Sequence, residues 1–475
     1  MVLPSVPVPQ FRHRCLQDFP AGCPKTCRCN GFDGEPPLRE SELFPNLGAR
    51  CRCSNAARAA ARRLRRSNQE ESEMSSHVPI KSHWMPQLVA LAFLTLAAAC
   101  AAPADDAASN AAAGSSDAST AQPVEADHFV PSTPDNVTWG WFPIDKEPVL
   151  RVQSGETVRV NTLTSAGATQ DENPVDFLTG LGIPREEIHQ DVLDFWASRD
   201  GRPRDVGGGH LITGPIHVEG AEPGDVLAIE ILSVETRANW GINSTGARSG
   251  VFSTSYPGFR EGDPALDIPP ESGRHVIHTG MADGVEVAFL ADDIHVPLEP
   301  FMGVMAVAPE DPVMGQPGVT APGVQGSTPP GAFGGNLDVK HLKTGTTLYL
   351  PVFHPGGLFY VGDPHGAQGD GEVSGTAIEQ SLTGTFRLSV HKDRSIEAPM
   401  AENDEHYILM GIDIDLDRAT RHAVRAVVDF LVEEKGLTPA KALSLASIAV
   451  DFRINEVVDI TQVVSGFIPK SVFLR

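Results

Sequence analysis

Seven short apolar segments recur between residues 148 and 412, and turn chemistry ends each one before it could make three helical turns. PVLRV (148–152), TVRVNTL (157–163), VLAIEILSVE (226–235), VEVAFL (285–290), TLYLPVF (347–353), TFRLSVH (385–391) and HYILMGI (406–412) have the length and residue types of strands. The first two flank QSGE and read as a hairpin, and Pro223-Gly224-Asp225 reads as a turn. Between 309 and 336 the chain is rich in Gly and Pro, the composition of a long functional loop. Helical spacing is confined to the C-terminal portion. From Asp417, residues Ala419, Ala423, Val427, Phe430 and Leu431 share one face up to Gly436, and Thr438-Pro439 then opens a second helix through Ala449. The fold class expected is α+β and β-rich.

The first hundred residues follow different rules. All seven cysteines lie there, at 15, 23, 27, 29, 51, 53 and 100. The spacing of the first six is too irregular for paired zinc knuckles. Residues 1–73 carry 12 Lys+Arg against 8 Asp+Glu, whereas the whole chain has a net charge of −24, so the remainder is strongly acidic. That balance argues against nucleic acid as a partner. Met74 opens a stretch with a basic start, an apolar run from Leu88 to Ala99 and then Cys100, the pattern of a lipoprotein-type signal peptide. Residues 1–73 are accordingly read as an unstructured upstream segment outside the true start, 74–100 as the signal, 101–127 as an Ala/Ser/Asp-rich tether, and 128–475 as the folded domain. A bacterial cell-envelope location follows, lipid-anchored at Cys100 or periplasmic, with the membrane met only through that anchor.

Absences narrow the chemistry. No cysteine follows Cys100, so the domain has no catalytic thiol. It also lacks a G-x-S-x-G elbow, a P-loop and a dinucleotide fingerprint. If this is an enzyme, water is its nucleophile, and a divalent cation with a carboxylate base is the usual way to activate water. Three glycine-punctuated stretches supply the side chains: GGGHLITGPIHVEGAEPGD (207–225) with His210 and His217, FGGNLDVKHLKTG (333–345) with Asn336, Asp338 and His341, and GDPHGAQGDGEVSGTAIE (362–379) with Asp363, His365, Asp370, Glu372 and Glu379. His217 and Glu219 read as exposed strand positions and His341 as solvated between Lys340 and Lys343. Asp338, His365, Asp370 and Glu372 read as a site on a glycine loop near the core.

HLITGPIHVEGAEPGDVLAIEIL, GGNLDVKHLKTGTTLYLPVFHPGGLFYVGDPHGAQGDGEVSGTAIE and GLTPAKALSLASIAVDFRINEVVD closely resemble the acetamidase/formamidase family, from Trp139-Gly-Trp141 to the final IPKSVF. The resemblance implies a β-sandwich architecture with C-terminal helices, hydrolysis of short amides to carboxylate and ammonia, and in some members a divalent metal. By resemblance, Asp338 matches the family's N-x-D element, and Asp363, His365, Asp370 and Glu372 match G-D-x-H-x-x-x-G-D-G-E. Thr138, His217 and Ser374 stand where the family often has histidine, tyrosine and cysteine.

The expected site therefore has Asp338, His365 and His210 as metal ligands, zinc being the metal such a donor set favours. Glu372 is the expected general base, and Asp370 orients a ligand or the substrate amide. The glycines beside Asp370 turn backbone N–H groups toward the oxyanion. Asn336, Asp363 and Trp141 are assigned to substrate binding. The partner is a small amide, and a homo-oligomer is expected. A non-catalytic binding lipoprotein, or a hydrolase of another linear or cyclic C–N bond, are the competing readings.

Overall fold

A computed structural model describes residues 125–474 apart from 165–169, 205, 247–248, 258 and 264–271. The upstream segment, the signal stretch, every cysteine and residues 101–124 of the tether lie outside the described residues. Asp127 is already tied into the domain, its carboxylate accepting from the Thr157 backbone at 2.9 Å and hydroxyl at 2.7 Å.

Two sheets carry the domain. The larger has nine strands in the order His128–Val130, Thr157–Asn161, Leu382–His391, Val226–Thr236, Thr347–Pro351, Met400–Glu402, His406–Asp413, Gln462–Pro469 and Asp451–Glu456. The second has Gly334–Asn336, Phe301–Ala306, Phe359–His365, Leu211–Val218 and Val137–Trp139 in that order, with Leu150–Val152 running parallel to Leu211–Val218. They share one core. Leu227, Ile229 and Ile231 of the first sheet meet Met302, Val304, Phe359 and Val361 of the second, all fully buried. The alternate residues of the first sheet, including Val226, Ala228, Tyr349 and Leu409, face the other way against Val427, Phe430 and Leu431 of the helix Leu416–Glu433 and Ala442 and Ala446 of the helix Pro439–Ala449. Side chains alternate with a period of two along a strand, so a sheet buried on both faces needs a continuous apolar run, which is what VLAIEIL is. The result is a sandwich with helices on one outer face, in the expected fold class.

Three local expectations are corrected. Leu150–Val152 and Thr157–Asn161 do not form a hairpin: the first joins Leu211–Val218, and the second pairs antiparallel with Leu382–His391 in the other sheet. Gly155, at φ +96°, turns the chain from one sheet into the other. Apolar alternation marks a strand but does not choose its partner. Helix is also not confined to the C-terminus. Asn173 caps Pro174–Gly180, and Gln190–Ala197 buries Phe195 against Trp139. Third, the Gly/Pro-rich stretch contains the short strands Val319–Ala321, Val324–Gly326 and Gly334–Asn336.

A meander of Trp240–Thr245, Gly273–Ala282, Val285–Ala291 and Ile294–Pro297 stands beside the sandwich. Isolated bridges link Glu379 to both Ile242 of the meander and His365 of the second sheet. That double link brings Glu379 to the site.

Candidate metal and active site

Asp363 and His365 sit on the strand Phe359–His365, every residue of which is buried; the expected glycine loop starts only at Gly366. Two residues apart on a strand, they face the same way. They face Gly303 on the neighbouring strand. A Cβ at Gly303 would lie 2.4 Å from Asp338 Oδ1, 2.7 Å from Asp363 Oδ2 and 2.9 Å from His365 Cε1. Asp338 is brought to the same place because Leu337 and Asp338 donate their backbone N–H groups to the Gly303 carbonyl, at 3.0 and 3.3 Å. The bare backbone of Gly303 is thus the floor of the site. Gly303→Ala is expected to cost about 1–3 kcal/mol through overpacking and to push the three side chains apart. A melting temperature and cation response equal to those of the unsubstituted protein would disprove this cradle.

Around His365 the acidic side chains form two groups. Asp338 and Glu372 form one with His365, Asp363 and Glu379 the other, and the ligand-type atoms in each group lie within 4.8 Å of one another. His365 Nδ1 is 3.5 Å from Asp338 Oδ1, while Nε2 is 3.2 Å from Asp363 Oδ2 and 3.3 Å from Glu379 Oε1. Asp338, Asp363 and Glu372 have left-handed backbones, with φ of 48°, 50° and 44°. Such conformations in residues other than glycine cost of order 1–3 kcal/mol each and gather at functional sites.

Burial dominates the electrostatics. It lifts the Asp338 carboxyl well above the usual range, with Glu372 adding to the rise, and it lifts Glu372 likewise, helped by the charge of Asp459. Burial would raise Asp363 too, but the charges of His365 and His210 outweigh it and hold Asp363 at about 2. Burial opposes a charge on His365, yet Asp363 and Glu379 raise its pKa well above the ordinary histidine value.

A divalent cation fits this donor set. His365 Nε2 is buried without a hydrogen-bond partner beside the Asp363 and Glu379 carboxylates, and an unpaired buried polar atom is costly unless something meets it. Oxygen donors with one imidazole, packed over a glycine, offer an ion both charge and room.

Other residues land elsewhere. His210 is beside the cluster, its Nε2 3.9 Å from Asp363 and its Nδ1 2.8 Å from the Ser327 hydroxyl, but it belongs to neither group of converging ligand-type atoms. Asn336 is buried, with Nδ2 donating to Asp459 at 2.5 Å and Oδ1 unpartnered. Asp370 does not join the cluster: it is exposed, 3.4 Å from Lys340 and 3.2 Å from Asn455. The N–H of Gly371 is spent on the Asn455 carbonyl at 2.8 Å, which removes it as an oxyanion donor. Trp141 lines a cleft of about 310 Å³ with Thr138, Lys146 and Arg202 that includes no residue of the cluster. A larger cleft of about 420 Å³ between Phe333, Phe353, Ile412 and Arg418 includes none either. His341 is not solvated. It is half-buried against Phe467 and bonded to Arg453 at 3.0 Å, and burial lowers its pKa to about 4.

Sequence reading assigned no role to Glu379, Asp459, Glu456 or Gly303. Glu379 belongs to the same glycine-punctuated stretch as His365, so it could have been found there. Asp459 and Glu456 carried no comparable signal; their carboxyls are lifted by burial, Asp459 to about 6.

Fold and cluster together define a β-sandwich protein with an enclosed acidic centre of hydrolytic type. The chain belongs to the Acetamidase/Formamidase family, whose profile matches residues 189–321 and 316–475. It is 29% identical over 291 residues to a putative formamidase of Schizosaccharomyces pombe, covering 52% of this chain and 64% of that protein. It is 27% identical over 351 residues to a formamidase of Methylophilus methylotrophus, covering 61% and 85%. The solved structure of an acetamidase from Yersinia enterocolitica superposes with a TM-score of 0.57 at 25% identity, covering 73% of this chain and 93% of that one.

Proposed function

We propose that this protein hydrolyses short-chain linear amides, of the size of formamide or acetamide, to carboxylate and ammonia. One observation carries the reading. Three carboxyls and an imidazole (Asp338, Asp363, Glu372 and His365) are each at most 8% exposed and gather in two groups that share His365, with no side chain on the Gly303 floor beneath Asp338, Asp363 and His365. The names of the relatives point the same way.

An amide needs its carbonyl oxygen polarised, a water deprotonated and its nitrogen protonated before ammonia leaves. A divalent cation held by His365 and its carboxylate neighbours, zinc in this reading, supplies Lewis acidity toward the carbonyl and water. Glu372 takes the proton of the attacking water and returns it to nitrogen; burial raises its affinity for a proton above that of an ordinary carboxylate, as a group that must accept and then donate one requires. Asn336 Oδ1, buried and unpartnered, accepts a hydrogen bond from the substrate NH2. Asp363, ionised beside His365, keeps the ring in place.

We extend the reading to lipid anchoring at Cys100 in a bacterial envelope, supported by the apolar run before that cysteine. Among the described residues no helix is long and apolar enough to cross a membrane. Exposed Met281, Val285, Leu290 and Ile294 on the meander support the expected self-association.

The test is ammonia release from formamide, acetamide and propionamide before and after chelator treatment. Turnover that a chelator abolishes and zinc restores is expected. No ammonia from any of the three, with ligand-induced thermal stabilisation instead, would replace the enzyme with a binding protein.

A further inference from the structure

We propose that Gln368 is a positioning residue that sets the tautomer of His365 and so places the cation on the Nε2 edge of the ring, between Asp363 and Glu379. The inference rests on the metal reading above and deepens it.

Hydrogen-bond bookkeeping leaves one arrangement. Gln368 Nε2 lies 2.8 Å from the backbone carbonyl of Asp338. A carbonyl oxygen only accepts, so the NH2 of the amide must face it, and Gln368 Oε1 must face the other way. There it meets His365 Nδ1 at 2.9 Å. Oε1 also only accepts, so Nδ1 carries the hydrogen. A protonated ring nitrogen has no lone pair for a metal. In the neutral ring that a metal requires, the lone pair belongs to Nε2, which has no hydrogen-bond partner although carboxylate oxygens of Asp363 and Glu379 lie 3.2 and 3.3 Å away. Phe301, edge-on to the ring with centroids 5.2 Å apart, holds its plane. Metal-binding histidines characteristically give their other ring N–H to such an outer acceptor, and removing that acceptor weakens metal binding about 10–100-fold.

Choosing an edge also divides the labour. Asp338, whose Oδ1 lies 3.5 Å from Nδ1, is left on the other edge and is replaced as a metal ligand by Asp363 and Glu379, while Glu372 is kept for proton transfer. Gln368 ties the two halves together, because it holds the ring by one end and the backbone of Asp338 by the other.

Zinc affinity of the chelator-stripped protein, read by competition with a chromophoric chelator, tests this without reference to turnover. Gln368→Met should bind zinc about 10–100-fold more weakly. Gln368→Glu keeps an acceptor for Nδ1–H and should bind within a few-fold of the unsubstituted protein, a rescue that a purely structural role would not produce. Nitrogen-15 shifts of the zinc-loaded, unsubstituted protein should show His365 protonated at Nδ1 and ligated at Nε2, a readout that survives if either variant misfolds. Equal affinity for all three proteins, or ligation through Nδ1, overturns the inference and leaves the amidase reading standing. Tight zinc binding with the expected pattern but no amide turnover does the reverse. Failure of the unsubstituted protein to bind zinc overturns this inference and the metal reading together.

Discussion

Glu372→Gln lowers ammonia release from formamide or acetamide by about 10²–10⁴-fold, the usual worth of a positioned proton-transfer group, and leaves the fold in place. Glutamine matches the shape of the carboxyl but cannot take a proton from water. The loss should fall on kcat rather than on KM, because the proton moves only as the transition state forms. Stability should be unchanged or higher above neutral pH. Burial makes the ionised Glu372 costly, and the amide removes that charge from the interior. Zinc affinity should stay within a few-fold, since Glu372 is not among the residues proposed to hold the ion. Steady-state ammonia assays paired with melting curves at pH 8 read all of this, and retained turnover would dismiss Glu372 as the base.

The second large effect is a pH dependence of stability that a cation cancels. Asp338, Glu372, Glu456 and Asp459 all have native pKa values raised by burial. In the unfolded chain these carboxyls ionise near pH 4. From there up to each native value the folded protein holds more protons than the unfolded one, so stability falls as pH rises. For Asp459 the window closes at about 6, and a rise of that size corresponds to about 3 kcal/mol. The other three contribute with the same sign. His365 has the same sign: its native value is raised, so its contribution is complete below the unfolded pKa and is lost as pH rises through the native one. Asp363 has the opposite sign. Its native value of about 2 contributes stability above its unfolded pKa, lost only as pH falls toward 2. The chelator-stripped protein should therefore melt at progressively lower temperature from pH 5 to pH 8. Zinc should raise the melting temperature more at pH 8 than at pH 5, because the ion takes over the role of the missing protons. Asp459→Asn should remove part of the slope. A melting temperature that rises across this range in stripped protein would refute the account.

These expectations also mark where sequence reading ended. The strands within 226–235, 285–290, 347–353, 385–391 and 406–412 and both C-terminal helices were legible because their apolar patterns are bounded by strong caps and turns, as in Thr438-Pro439, whereas Phe301–Ala306, Phe359–His365 and Gln462–Pro469, interrupted by glycine, proline or polar residues, were not. Pro174–Gly180 and Gln190–Ala197 were too short to show a period. Asp338, His365 and Glu372 stood out because titratable side chains among glycines have no simple structural reason to be there. Asp370 stood out by the same logic and faces away, since a sequence pattern gives density of charge but not its direction.

The sequence by itself determined the class of fold and the acids and imidazole from which a site could be made, because strand periodicity and residue chemistry are local properties. Only the tertiary structure decided which of them meet. Gly303 and Glu379 reach His365 and Asp338 through strand pairing and bridges across distant segments, Asp459 comes in from the turn between the last two strands, and a left-handed turn at Glu372 aims its carboxyl inward while nearby Asp370 points to Lys340. Register and burial fix the direction of a side chain, and neither is carried by the residues next to it in the chain.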